Sequence, residues 1–136
     1  MKYSALYLLV GMTLVSAGGN MDAYMSTLEK EARLADPGFN GFEYSRGEKI
    51  YFSKHRGKRG KIVSCSSCHT ENLSASGKHL FTGKVIKPLS PFANPQRFSK
   101  VKKVKKWLRR NFKDVYKREG TAQEKGDVLT FMMRRK

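Results

Sequence analysis

Acidic residues are scarce in this chain of 136 residues: 11 Asp+Glu stand against 28 Lys+Arg, a formal net charge of +17. There are only two cysteines, one tryptophan and four prolines, and no internal repeat or long low-complexity run. The length leaves room for one compact core and excludes a second independent one. After residue 17 no apolar run approaches the length of a membrane span. The two cysteines are Cys65 and Cys68. A disulfide between them would close too small a loop to constrain the unfolded chain, so a structural staple is a poor explanation for the pair. With 39% apolar residues, the chain has reason to need something beyond its own side chains to complete a core.

The N-terminus has the layout of an export leader. Lys2 supplies a positive start, Ala5 to Val15 an apolar stretch, and Val15-Ser16-Ala17 a small-residue cleavage pattern before Gly18. Residues 1–17 are expected to be a cleavable secretory signal peptide and residues 18–136 a single domain, which places the mature protein in the periplasm. Removing the leader takes away one lysine and leaves a net charge of about +16.

The remaining pattern predicts an all-α domain with one long irregular middle. Met21, Tyr24, Met25, Leu28, Ala32 and Ala35 share a helical face, with Asn20 as a candidate cap and Pro37-Gly38 as the stop. Tyr44, Gly47, Ile50 and Tyr51 mark a second helix to about Ser53, and Lys54 to Lys61 reads as a loop. Gly77, Gly83, Pro88, Pro91 and Pro95 exclude long helices between Thr70 and Pro95. Asn94-Pro95 predicts a short turn of helix. Ser99 to Asn111 is helical by period, and Thr121-Ala122-Gln123-Glu124 reads as the capping box of a last helix buried through Val128, Leu129, Met132 and Met133.

Cys65-Ser66-Ser67-Cys68-His69 is a C-x-x-C-H sequence, the attachment signature of a c-type haem. Thiols at this spacing can add to the two vinyl groups of one porphyrin, and the adjacent His69 imidazole is then carried beneath the iron. A thioredoxin-like redox pair expects a βαβ context that is missing. A zinc site would need His55 or His79 to join the cysteines, and lacks a second ligand pair at usual spacing. His55 and His79 lie in polar, lysine-rich surroundings, where a loop histidine is more often solvated.

The ligand on the other side of the iron decides between electron transfer and small-molecule binding. The mature chain offers Met21 and Met25 far upstream, and Met132 and Met133 on the last helix, where the stripe makes core packing the simpler role. Val101, Val104, Leu108 and Asn111 share one helix face, bordered by Trp107. Periodicity alone leaves Asn111 either as a helix C-cap or as an amide aimed into the haem pocket.

Thr82-Gly83-Lys84, Pro88-Leu89-Ser90-Pro91, Pro95-Gln96-Arg97-Phe98 and Lys106-Trp107-Leu108-Arg109-Arg110-Asn111 follow the C-x-x-C-H in that order. From about Tyr44 onward the chain thereby resembles the SHP family of high-spin, oxygen-binding class I c-type cytochromes. Gly47 with an aromatic four residues on also resembles the first helix of class I cytochromes c, with Tyr51 or Phe52 expected against Leu129 and Met132. The resemblance implies a class I cytochrome c-like helical fold around one covalent haem c, here with an extra N-terminal helix. It implies thioethers at Cys65 and Cys68, His69 as proximal ligand, and Asn111 as distal ligand of the ferric state. Some members carry an extra cysteine pair around this asparagine; here Phe112 follows directly.

The implied function is binding of O₂, NO or CO after the asparagine is released on reduction, with slow oxidase or reductase turnover left open. Electron donors implied by the family are a diheme cytochrome c and a membrane cytochrome b. The alternative is a low-spin electron carrier with His69 and Met132 or Met133 as ligands. The basic face Lys102, Lys103, Lys105, Lys106, Arg109 and Arg110 suits steering of an acidic redox partner. Nucleic acid is not the expected partner of an exported haem protein, and anionic lipid is a more distant candidate.

Overall fold

The computed structural model describes residues 19–135; the leader assigned to residues 1–17 lies outside them. The described residues form five α-helices, a single 3₁₀ turn and two short β-pairs. Helix α1 spans Gly19–Ala35 and buries Met21, Tyr24, Leu28 and Ala32 along one stripe. Asn20 lies within this helix and is not its cap. The Asp36 carboxylate accepts a bond from the Gly38 N–H at 2.8 Å, turning the chain at Pro37-Gly38.

Helix α2, Tyr44–Phe52, crosses the C-terminal helix α5, Ala122–Arg134. The crossing is close because Gly47 has no side chain: a Cβ there would lie 2.0 Å from the Asp127 carbonyl oxygen and 2.8 Å from Phe131 Cβ. Tyr51 and Phe52 stack around Phe131, at ring separations of 5.2 and 6.0 Å, in the buried cluster that also holds Leu129 and Met132. Buried Asp127 ties the two helices further, accepting from the Glu43 N–H at 2.7 Å and from Arg46 Nε at 2.7 Å.

The segment expected to be a bare loop after α2 is a small hairpin. Strand β1 (His55–Arg56) pairs antiparallel with β2 (Ile62–Val63) around a single 3₁₀ turn at Lys58–Gly60. Next come the one-turn helix α3, Ser66–His69, and a second pair, β3 (Gly77–Lys78) with β4 (Val85–Ile86). At Asn94-Pro95 there is a hydrogen-bonded turn, Arg97 N–H to Asn94 O at 2.9 Å, and no helix. The Asn94 amide donates to Pro88 O instead of capping.

Helix α4 runs Val101–Tyr116, five residues past the expected end at Asn111. It stops at Lys117, whose φ of 59° is left-handed. Asn111 is therefore an interior helical residue, and the C-cap reading of it is excluded. Thr121 and Glu124 form the expected capping box of α5. Side chains from α1, α2, α4 and α5 share one apolar core with Leu73 and Leu89 of the irregular middle. Among the described residues, no helix is long and apolar enough to cross a membrane.

Candidate functional site

Helix α3 gathers the C-x-x-C-H residues on a single turn. The Cys68 and His69 N–H groups both donate to the Cys65 carbonyl, at 3.3 and 3.1 Å. The Ser64 N–H donates to Ser67 Oγ at 2.9 Å, fixing the entry to the turn. The exit is pinned by Tyr51, whose hydroxyl donates to Thr70 O at 2.7 Å. Thr70 takes a φ of 69°, a conformation rare for a β-branched residue, and so reverses the chain. Gly77 lets β3 lie directly on this turn: a Cβ there would stand 2.1 Å from the Cys68 carbonyl oxygen. Sequence patterning did not single out Gly77 for this role. Its signal was only a glycine eight residues after the histidine.

Both thiols are free, and the Leu80 N–H points at Cys68 Sγ from 3.4 Å. Burial, aided by the neighbouring Cys68, pushes the Cys65 thiol up to about 12, so it stays protonated. Among the described residues no cluster of three or more His, Cys, Asp or Glu could hold a metal ion, so the zinc alternative has no ligand set.

His69 faces Asn111 across the chain. His69 Nε2 lies 3.4 Å from the Asn111 side-chain amide, although 42 residues separate them in sequence. Amide nitrogen and oxygen are exchanged by a simple flip, so the carbonyl end can equally face the ring. Burial, then the charges of Arg97 and His79, pull the His69 imidazole down to about 4. At neutral pH the ring is uncharged and a nitrogen lone pair is available to a metal. Its Nδ1 is buried without a hydrogen-bond partner among the described residues. Two free thiols, a neutral imidazole and an amide opposed to it fit a covalently held haem, with Cys65 and Cys68 as attachment points.

The other candidate ligands are otherwise engaged. Met132 is buried in the core and Met133 packs against it. His79 Nδ1 accepts the Phe81 and Thr82 N–H groups, both at 3.2 Å, and its Nε2 lies 3.9 Å from Asp114. His55 stacks on Tyr116 at 4.2 Å. Neither histidine is simply solvated. The six basic residues of α4 are all exposed; Lys105 also sits 4.8 Å over the Tyr24 ring, which brings α1 to the edge of that face.

Fold and site together define a c-type cytochrome. Comparison with known proteins agrees. Residues 37–132 match the family described as "Domain of unknown function (DUF1924)". The cytochrome c-type protein SHP of Cereibacter sphaeroides is 38% identical over 64% of this chain and 67% of its own length. Cytochrome c'' of Methylophilus methylotrophus is 29% identical over 75% of this chain and 71% of its own. The crystal structure of oxidised cytochrome c'' from that organism superposes with a TM-score of 0.76 at 26% identity, covering 86% of this chain and 95% of the other. The structure of oxidised SHP, described as an oxygen-binding cytochrome c, gives 0.71 at 32% identity, covering 82% and 94%. The chain belongs to the SHP family of monohaem c-type cytochromes, whose cofactor is covalent haem c.

Proposed function

We propose that this chain is an exported, diatomic-binding cytochrome gated by Asn111. The observation that carries this reading is the opposition of His69 Nε2 and the Asn111 amide at 3.4 Å, from the interior of α4. The haem, bound through Cys65 and Cys68, supplies the redox-active iron and the position a diatomic ligand would take. His69 is the proximal ligand, neutral and ready to donate. Asn111 is the distal ligand of the oxidised state.

A carboxamide is a weakly basic donor, adequate for ferric iron and poorly matched to ferrous iron. Asn111 would hold the iron weakly once the haem is reduced, and its amide N–H could then serve as a hydrogen-bond donor to O₂ or NO. Val104 and Leu108, buried on the same helix, keep water from competing for that position. Residues 1–17 direct the protein to the periplasm and are removed there. The face carrying Lys102, Lys103, Lys105, Lys106, Arg109 and Arg110 steers an acidic electron donor, in this family's setting a diheme cytochrome c or a membrane cytochrome b.

The test is an absorption spectrum of the purified protein, oxidised, reduced, and reduced with CO. High-spin ferrous bands and a prompt CO shift support the reading. A low-spin spectrum with a sulfur-to-iron band near the red edge, unaffected by CO, would replace Asn111 by Met132 or Met133 and make the protein a plain electron carrier.

A further inference from the structure

Asp114 is the only acidic residue between Glu71 and Glu119, in a stretch otherwise crowded with lysine and arginine. It stands three residues beyond Asn111 on α4, so the two side chains are neighbours one turn apart. Two separate loops reach its carboxylate. Lys58 Nζ, from the 3₁₀ turn inside the β1–β2 hairpin, lies 3.2 Å from Oδ1. His79 Nε2, from the turn that joins β3 to β4, lies 3.9 Å from Oδ2. His79 Nδ1 accepts the Phe81 and Thr82 N–H groups, so the ring proton of the neutral form sits on Nε2, toward the carboxylate. The two loops also meet each other, with Lys58 and Arg59 lying over the Phe81 ring at 5.5 and 5.4 Å.

Main chain is packed tightly on either side of this cluster. A Cβ at Gly57 would lie 2.2 Å from the Asp114 carbonyl oxygen, and one at Gly77 would lie 2.1 Å from the Cys68 carbonyl oxygen. A strap of chain therefore runs from the turn carrying Cys68 and His69, through β3 and His79, to the helix carrying Asn111. We infer that Asp114 is a positioning residue for Asn111: held by Lys58 and His79, its carboxylate fixes the distal helix at the spacing from α3 that lets the Asn111 amide ligate. The inference rests on the reading of Asn111 as distal ligand. The Asp114 and His79 side chains are 28% and 25% exposed, so solvent screens this contact less than one on open surface. A carboxamide is a weak ligand, and a modest electrostatic tie is enough to shift the balance between its bound and released positions.

The test compares purified ferric holoproteins: the parent, Asp114→Asn, Asp114→Glu, Lys58→Met, Asn111→Ala and the double variant Asn111→Ala/Asp114→Asn. Two quantities are read, the resonance Raman signature of the sixth ligand and the rate at which added cyanide displaces it. Asp114→Asn and Lys58→Met should each raise the share of iron without its native sixth ligand and speed cyanide binding about fivefold. Asp114→Glu keeps the charge and should return the rate most of the way to the parent's. In the Asn111→Ala background, Asp114→Asn should leave the cyanide rate unchanged, because the residue it positions is already gone.

Parent-like spectra and cyanide rates in Asp114→Asn and Lys58→Met would overturn the inference, even with a lowered Tm, and leave the cluster as a plain ion pair between loops and helix. An equal acceleration in the Asn111→Ala background would overturn it too, since the effect would not pass through Asn111. If Asp114→Asn does not mature, Lys58→Met decides, because Lys58 is half exposed on a surface turn and touches the same carboxylate. Failure of the distal-ligand reading would show differently, as a ferric spectrum of Asn111→Ala identical to the parent's, and would take the inference with it.

Discussion

Replacing Gly47 by alanine adds one methyl group at the tightest contact of the fold. Its nearest neighbours would be the Asp127 carbonyl oxygen at 2.0 Å, the carbonyl carbon at 2.5 Å and Phe131 Cβ at 2.8 Å. Two of these atoms are main chain, so no rotamer change relieves the clash and α5 itself must move away from α2. Overpacking of a core costs roughly 1–3 kcal/mol, and a clash with backbone belongs at the upper end. Alanine returns roughly 0.5–1 kcal/mol through its better helix propensity. The net expectation is a loss of about 2 kcal/mol, or about 10 °C in Tm for a domain of this size. The displacement should also reach the site, because Phe131 packs on Tyr51 and Tyr51 holds the Thr70 carbonyl behind His69. Thermal unfolding of the ferric holoprotein, followed by circular dichroism and haem absorbance, measures both effects. A Tm within about 2 °C of the parent would refute the close-crossing argument.

Covalent attachment predicts a mass equal to the mature chain plus one haem, no titratable free thiol, and colour that stays with the protein in acid–acetone. Colour in the organic phase would end the roles assigned to Cys65 and Cys68. Glu124 is held below its ordinary carboxylate value by Arg118 first and then by the Thr121 N–H, against the opposing effect of burial. Its stabilisation is complete above the unfolded pKa and disappears as pH falls through the lower folded one. Glu124→Gln should therefore cost about 1 kcal/mol near pH 7, with the difference from the parent fading below about pH 4. An equal gap at both pH values would contradict that linkage. Reversing Lys102 and Lys106 to glutamate should slow reduction by an acidic donor without altering the spectrum, and the deficit should shrink at high salt. Equal rates at low salt would leave this face as solvated surface.

The chemistry was more legible in the chain than its support. Five consecutive residues, Cys65 to His69, name the cofactor because thiol spacing and an adjacent imidazole are local properties. The helices were legible where apolar spacing repeats, and Thr121 with Glu124 marked the start of α5 correctly. The end of α4 was not, because Asn111 imitates a cap while the apolar stripe continues through Phe112 and Val115. Packing partners 80 residues apart leave no local signal. Phe131, fully buried between Tyr51 and Tyr44, lies off the stripe that sequence spacing drew. Asp127 reads as an ordinary exposed acid in sequence, yet it is buried where α2 presents the Glu43 N–H and Arg46. The two β-pairs have strands of two residues each, too short for any alternation to register.

Asn111→Ala is the variant that tests the gating account most directly, measured by the ferric spectrum and by the lifetime of the ferrous O₂ complex. The fold should persist, because Asn111 ends no helix and the haem remains in the core. The ferric form should lose its native sixth ligand and show a water-bound or five-coordinate spectrum. The ferrous protein should still bind CO and O₂, but with its donor gone the O₂ complex should decay faster. A hydrogen bond to a partly charged acceptor is worth roughly 1.5–3 kcal/mol, on the order of ten- to a hundredfold in lifetime. A ferric spectrum and an O₂ lifetime equal to those of the parent would contradict the account and return the sixth position to Met132 or Met133.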